Sequence, residues 1–423
     1  MKNISRRQFS ATAAAATAAS IIGMPFVARA AKPRVVVIGG GAGGATVARY
    51  VAKDSKGAID VTLIEPTKRY YTCFFSNLYL GGFREFDSIG HGYGTLASKH
   101  GINVIHDWAV AVDRKAKMVA LASGAKVSYD RLVIAPGIDL KYDSVPGYSV
   151  DAQDVMPHAW KSGTQVQQLR AQVENMKQGG TFVMIPPPNP FRCPPGPYER
   201  ISMIAHQFKK TNPKAKIIVL DPKEKFSKQG LFMAGWDDHY PGMIEWIPAS
   251  VSGGVKNLNP DTMEIETGID TFKADAACVV PAQKAGAIAQ IAGVTKGDWC
   301  PINPATMQSQ IDENIHVLGD ASIASAMPKS GFSANSQAKV AANAIRGALT
   351  GSKVFPARYA NTCWSLIAAN DGVKVGAKYE ASPEKIKPTA KFISKNGESA
   401  ELRKQTYEES EGWYKAITAD MFG

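Results

Sequence analysis

The glycine run that follows the first apolar segment decides most of what this chain can become. Arg34-Val35-Val36-Val37-Ile38 reads as a short buried strand, and Gly39-Gly40-Gly41-Ala42-Gly43-Gly44 follows at once. A helical stretch from Ala45 to Ala52 comes next, then a second strand, Val61-Thr62-Leu63-Ile64, ending in Glu65. Strand, glycine turn, helix and strand in that order open a dinucleotide-binding unit. Gly39, Gly41 and Gly44 occupy the glycine positions of G-x-G-x-x-G. The first permits the tight turn, the second lets the backbone approach a pyrophosphate, and the third allows close helix–strand packing. Glu65 lies 21 residues after Gly44, where an acid binds a ribose hydroxyl. It disfavours a phosphorylated ribose, because two negative charges would then oppose each other.

A second α/β unit starts at Thr181-Phe182-Val183-Met184-Ile185 and continues at Lys216–Asp221. It carries no second glycine fingerprint. Pro186-Pro187-Pro188-Asn189-Pro190-Phe191-Arg192-Cys193-Pro194-Pro195-Gly196-Pro197 follows its first strand instead. Prolines lack the N–H donors that a pyrophosphate needs, so nicotinamide binding is not expected here. A stiff loop presenting Cys193 is the favoured reading and a plain rigid linker the competing one. Further on, the strand Ile315–Leu318 ends in Gly319-Asp320. In two-dinucleotide flavoproteins such an Asp meets the ribityl chain of FAD; an ordinary turn or helix-cap Asp is the alternative. A helix is expected from Ser336 to Leu349.

The first thirty residues read as an export signal. Ser5-Arg6-Arg7-Gln8-Phe9 is a twin-arginine pattern, an Ala-rich apolar stretch follows, and Ala28-Arg29-Ala30 is a small-x-small cleavage site. That route exports folded proteins, so the expected location is the periplasm. The chain of 423 residues carries 49 Lys and Arg against 37 Asp and Glu. Four of those bases lie in residues 1–30 with no acid, so the remainder has a formal charge of +8. No long basic block occurs, which argues against nucleic acid and weakly for an acidic protein partner. No run long enough for an integral membrane span exists outside the signal.

Five cysteines are present: Cys73, Cys193, Cys278, Cys300 and Cys363. No C-x-x-C spacing and no Cys/His cluster suggests a metal site. Cys278 sits in an apolar strand and reads as core; Cys300 reads as structural. The other three lie in irregular, polar or aromatic contexts.

Tyr71-Thr72-Cys73-Phe74-Phe75-Ser76-Asn77, the Cys193 proline loop, Trp299-Cys300-Pro301, Gly319-Asp320, Lys329–Asn335 and Asn361-Thr362-Cys363-Trp364 together carry a resemblance. The chain resembles the flavoprotein subunit of flavocytochrome c sulfide dehydrogenase, a relative of the sulfide:quinone reductases among glutathione-reductase-like flavoproteins. The resemblance implies an α/β fold: two Rossmann-like dinucleotide-binding-type domains and a C-terminal α+β interface domain. The expected division is 31–150 and 276–350 for the FAD-binding domain, 151–275 for the second Rossmann-like domain, and 351–423 for the interface domain.

The same resemblance implies FAD held by a thioether to Cys73, and a redox disulfide between Cys193 and Cys363. Hydrosulfide would open that disulfide to a persulfide and a thiolate. Glu199, six residues past Cys193, is a candidate for proton management, with a solvated surface Glu as the equal alternative. Gly331 and Phe332, in the segment before the expected helix, are candidates for placing backbone N–H groups at the flavin's pyrimidine edge. No C-x-x-C-H motif occurs, so the implied haem partner is a separate c-type cytochrome subunit in a heterodimer. Competing readings are a sulfide:quinone reductase, a non-enzymatic flavin-bearing activator of another sulfur-oxidation system, and an NADH-driven disulfide reductase.

Overall fold

The computed structural model describes residues 31–161 and 163–423; the expected export signal lies outside them. A five-stranded parallel sheet runs in the order Ile315–Val317, Arg131–Ile134, Arg34–Ile38, Asp60–Ile64, Asn103–Ile105. Val35, Val36 and Val37 are fully buried, as expected of a central parallel strand covered on both faces. The late strand Ile315–Val317 returns to this sheet, so two distant parts of the chain build one nucleotide-type unit. Helices Gly44–Asp54 and Gly331–Thr350 cover it and are tied by Asn335, whose Nδ2 donates to Thr46 Oγ1 at 2.9 Å.

The helix expected from Ser336 begins five residues earlier, at Gly331. Ser330 caps it, its side chain accepting from Ser333 N at 3.0 Å. Gly, Ser and Asn are weak helix formers, and they hid a start that the cap supplies. Gly331 and Phe332 therefore sit in the helix's first turn.

The middle unit is a four-stranded parallel sheet ordered Ile244–Pro248, Lys216–Asp221, Thr181–Ile185, Ala276–Val279. Its edge strand Ala276–Val279 lies just past the expected boundary at 275 and joins the middle sheet because its backbone pairs in parallel with Phe182–Ile185. Beyond residue 351 come three antiparallel strands, Arg358–Ala368, Asp371–Ala381 and Ile386–Ile393, and then the helix Ala400–Phe422. That helix buries Tyr414, Ile417, Met421 and Phe422. Asp420 fixes its end through Lys339 at 2.7 Å, Tyr50 Oη at 2.7 Å and Arg49 at 3.3 Å. Among the described residues, no helix is long and apolar enough to cross a membrane.

Two imidazoles make this fold sensitive to acid. Burial lowers His158 to about 3 and His316 to about 4 from an ordinary 6.5. The unfolded chain takes up both protons near its ordinary value; the folded chain does not. Stability is thus present above pH 6.5 and lost as pH falls towards 4, by up to ~1.4 kcal/mol per pH unit for each imidazole. Urea titrations at neutral and mildly acid pH should show that loss, and His316→Gln should remove the share that His316 contributes.

Candidate active site

Cys193 is set by its backbone before its sulfur matters. The residue has φ +59°, a left-handed conformation unusual for a residue with a Cβ. Its N–H donates to Lys329 O at 2.7 Å, and its carbonyl accepts from Gly196 N at 2.7 Å. The proline loop is thereby pinned to the segment that opens the helix at Gly331. Such strain costs of order 1–3 kcal/mol and persists where surrounding structure over-determines it.

Cys363 arrives from the C-terminal strand Arg358–Ala368. Its sulfur accepts from Asn361 Nδ2 at 3.3 Å, and Asn361 Oδ1 in turn accepts from Ser330 Oγ at 2.6 Å. Cys193 and Cys363 are free thiols here, and they line one cleft of about 900 Å³. Cys73, Glu199, Gly331 and Phe332 line the same cleft. Six of the residues singled out from sequence thus share one chamber.

Glu199 is not a surface carboxylate. It lies in the first turn of the helix Gly196–Thr211 and is half-buried, with Oε2 accepting from Asn77 Nδ2 at 2.8 Å and Oε1 from Leu366 N at 3.0 Å. Burial raises it above the ordinary carboxylate range, and the two hydrogen bonds hold it partly back. Burial also raises the thiols. Cys193 is pushed well up, and the neighbouring Cys363 and Glu199 add to the rise. Cys363 and Cys73 are raised by burial too, against the pull of Asn361 and Lys228 on the first and of Arg192 on the second. Cys278 and Cys300 are fully buried away from this cleft, as core positions.

The nucleotide end connects to the cleft through Tyr70 and Arg192. Gly40 N donates to Glu65 Oε2 at 2.8 Å, so the acid at the end of the second strand faces the glycine turn. A Cβ on Gly41 would lie 3.3 Å from the Tyr70 ring. Tyr70 in turn feels the charges of Cys73, Arg192 and Asp320. Arg192 is 3.7 Å from Asp320 and also lines the cleft.

The unsatisfied groups test whether FAD fits. Asp320 is buried, and its Oδ1 has no hydrogen-bond partner. A buried carboxylate oxygen without a donor is costly, and a ribityl hydroxyl supplies one. The first-turn amides at Gly331 and Phe332 have no intrahelical acceptor, as at any helix start. Gly39 and Gly44 pack against Ala135 and against each other, which clears the turn for a pyrophosphate. These residues fit the cofactor.

Sequence reasoning missed Lys228, Arg192 and Asn361 as members of the site. Arg192 was legible as the neighbour of Cys193. Asn361, two residues before Cys363, shares its strand face. Lys228 stands in a polar loop with no local signal.

Three family descriptions match the chain. Residues 33–178 match pyridine nucleotide-disulphide oxidoreductase. Residues 166–281 match the central region of the sulfide dehydrogenase [flavocytochrome c] flavoprotein chain, and residues 355–422 match the flavin-binding region of flavocytochrome c sulphide dehydrogenase. The sulfide dehydrogenase [flavocytochrome c] flavoprotein chain of Chlorobaculum thiosulfatiphilum is 54% identical over 44 residues, which are 10% of this chain and 90% of that sequence. The mitochondrial sulfide:quinone oxidoreductase of Mus musculus is 28% identical over 44% of this chain and 41% of its own length. The sulfide-quinone reductase of Aquifex aeolicus is 33% identical over 32% of each chain. The chain thus spans less than half the length of these two relatives. The solved structure of sulfide:quinone oxidoreductase from Aquifex aeolicus has the same fold, with a TM-score of 0.68 at 20% identity over 92% of both chains. The fold, the flavin-type site and the matched regions agree, and the chain belongs to the flavocytochrome c sulfide dehydrogenase flavoprotein family.

Proposed function

We propose that this chain is an FAD-dependent sulfide dehydrogenase of the periplasm that passes electrons to a c-type cytochrome subunit in a heterodimer. One observation carries the reading: Cys193 and Cys363, remote in sequence, line one cleft with Cys73 and the first turn at Gly331. In the oxidised protein the two sulfurs form a disulfide. Hydrosulfide bonds to one of them, the S–S bond breaks, and the electron pair goes to the other as thiolate. The sulfide sulfur is oxidised to the persulfide level as the cysteine pair is reduced.

FAD, when bound, supplies the two-electron sink. Cys73 would tether it, Glu65 would hold its ribose and Asp320 its ribityl chain, and Gly39, Gly41 and Gly44 would make room for its pyrophosphate. The amides of Gly331 and Phe332 would offer positive potential to its reduced ring. Glu199, held high by burial, exchanges a proton with the sulfur at Cys193. A cytochrome is favoured over a quinone because the C-terminal helix uses Ile417, Met421 and Phe422 for the chain's own core rather than for a membrane surface.

Anaerobic titration of the holoprotein with sulfide tests this. The flavin is expected to bleach, and added cytochrome c to be reduced with turnover. Acid-denatured protein should keep its flavin, and Cys73→Ser should release it. Turnover with a quinone but not with cytochrome c would favour the quinone reductase. Absence of bleaching by sulfide would favour a non-enzymatic role, and bleaching by NADH instead would favour the disulfide reductase.

A further inference from the structure

Lys228 is a buried lysine with no role in the chemistry described so far. It precedes the helix Gln229–His239, has φ +62°, and is 6% exposed. Its ammonium donates to Ser365 Oγ at 2.8 Å, Cys363 O at 3.1 Å and Val373 O at 3.5 Å. All three acceptors are neutral. The nearby carboxylate of Glu199 already accepts from Asn77 and Leu366. A buried ammonium without an anion is unfavourable unless an anion forms beside it.

We propose that Lys228 is a positioning cation for Cys363: its buried ammonium makes Cys363, rather than Cys193, the sulfur that carries negative charge when the pair is reduced. The inference rests on the two cysteines working as a redox pair. The hydrogen bonds point the same way. Cys363 Sγ receives the Asn361 amide, and Ser330 supports both. Cys193 faces Glu199, Cys73 and Cys363, three groups that oppose a negative charge, and Arg192 near it is shared with Asp320 and Cys73. Lys228 also favours charge on Cys193 and Glu199 also opposes it on Cys363, but Cys363 adds the Asn361 hydrogen bond to its sulfur. Tyr379 faces Cys363 from the neighbouring strand, and Lys391 lines an outer cleft of about 950 Å³ that Cys363 shares with Pro194 and Pro195. That outer cleft gives a small reagent a second route to Cys363.

Burial brings Lys228 down to about 8, so it is cationic at neutral pH and loses its charge above. Its effect on Cys363 is therefore present at neutral pH and fades in alkali.

The test uses holoprotein reduced anaerobically with dithiothreitol and alkylated with iodoacetamide over a pH series, with each cysteine peptide followed by mass. Cys363 should be labelled before Cys193 near neutral pH. Lys228→Met should slow labelling of Cys363 about tenfold there and that of Cys193 less, with the flavin spectrum unchanged, and Lys228→Arg should restore both. Prior labelling of Cys193 in the unmodified protein would overturn the proposal, and this arm needs no variant to fold. Identical Cys363 profiles with and without Lys228 would overturn it as well. Alkylation does not depend on sulfide turnover. A protein that fails to oxidise sulfide but labels Cys363 first would sink the functional reading alone.

Discussion

Cys363→Ser is expected to lower sulfide-dependent reduction of the flavin by ~10³-fold or more, and Cys193→Ser to do the same. A serine hydroxyl cannot form the sulfur–sulfur bond that hydrosulfide opens, so either change removes the electrophile outright. The packing loss is small, because serine is close to cysteine in volume and both side chains line the cleft. The variants should therefore fold, stay yellow and still be bleached by dithionite. Stopped-flow absorbance under anaerobic sulfide reads the effect directly. Sulfide-driven bleaching at an unchanged rate in both variants would end the disulfide mechanism. The double variant should be no worse than either single one, since the pair acts as a unit.

Gly44→Ala is expected to be as damaging for a different reason. A Cβ there would sit 1.7 Å from Gly39 O, and real Cβ contacts essentially never fall below 3.0 Å. The helix start and the glycine turn would have to separate by over an ångström, and the turn is itself fixed by Gly39 N donating to Ile64 O at 2.9 Å. The loss should exceed ~4 kcal/mol, with little soluble protein and no bound flavin. Gly412→Ala is the control. It lies within the helix Ala400–Phe422 with nothing within 4 Å of an added Cβ, and should gain ~1 kcal/mol. Thermal melts and flavin-to-protein absorbance ratios separate the two outcomes.

These cases mark what the sequence disclosed and what it withheld. The glycine turn was legible because strand, glycines, helix and Glu65 are local, and each has its own physical demand. The proline loop was legible by subtraction, since Pro186, Pro187 and Pro188 stand where a second phosphate site needs N–H donors. Glu199 stayed ambiguous, because burial comes from Asn77 and Leu366, over 100 residues away in either direction. The helix at Gly331 was read as starting late, since the cap at Ser330 outweighs the poor propensity of the next few residues. Lys228 was invisible: its partners Cys363, Ser365 and Val373 come from strands far along the chain. What was missed is what depends on long-range contact.

The helix Ala400–Phe422 has a consequence for how the protein is made. Thr406, Tyr407, Ser410 and Trp413 form one wall of the cleft, while the glycine turn, Cys73, Cys193 and Cys363 all precede them in the chain. On the ribosome, the floor of the chamber and its reactive sulfurs emerge first and the wall emerges after. A nascent chain thus presents the glycine turn and its reactive sulfurs before the segment that forms this wall has been synthesised.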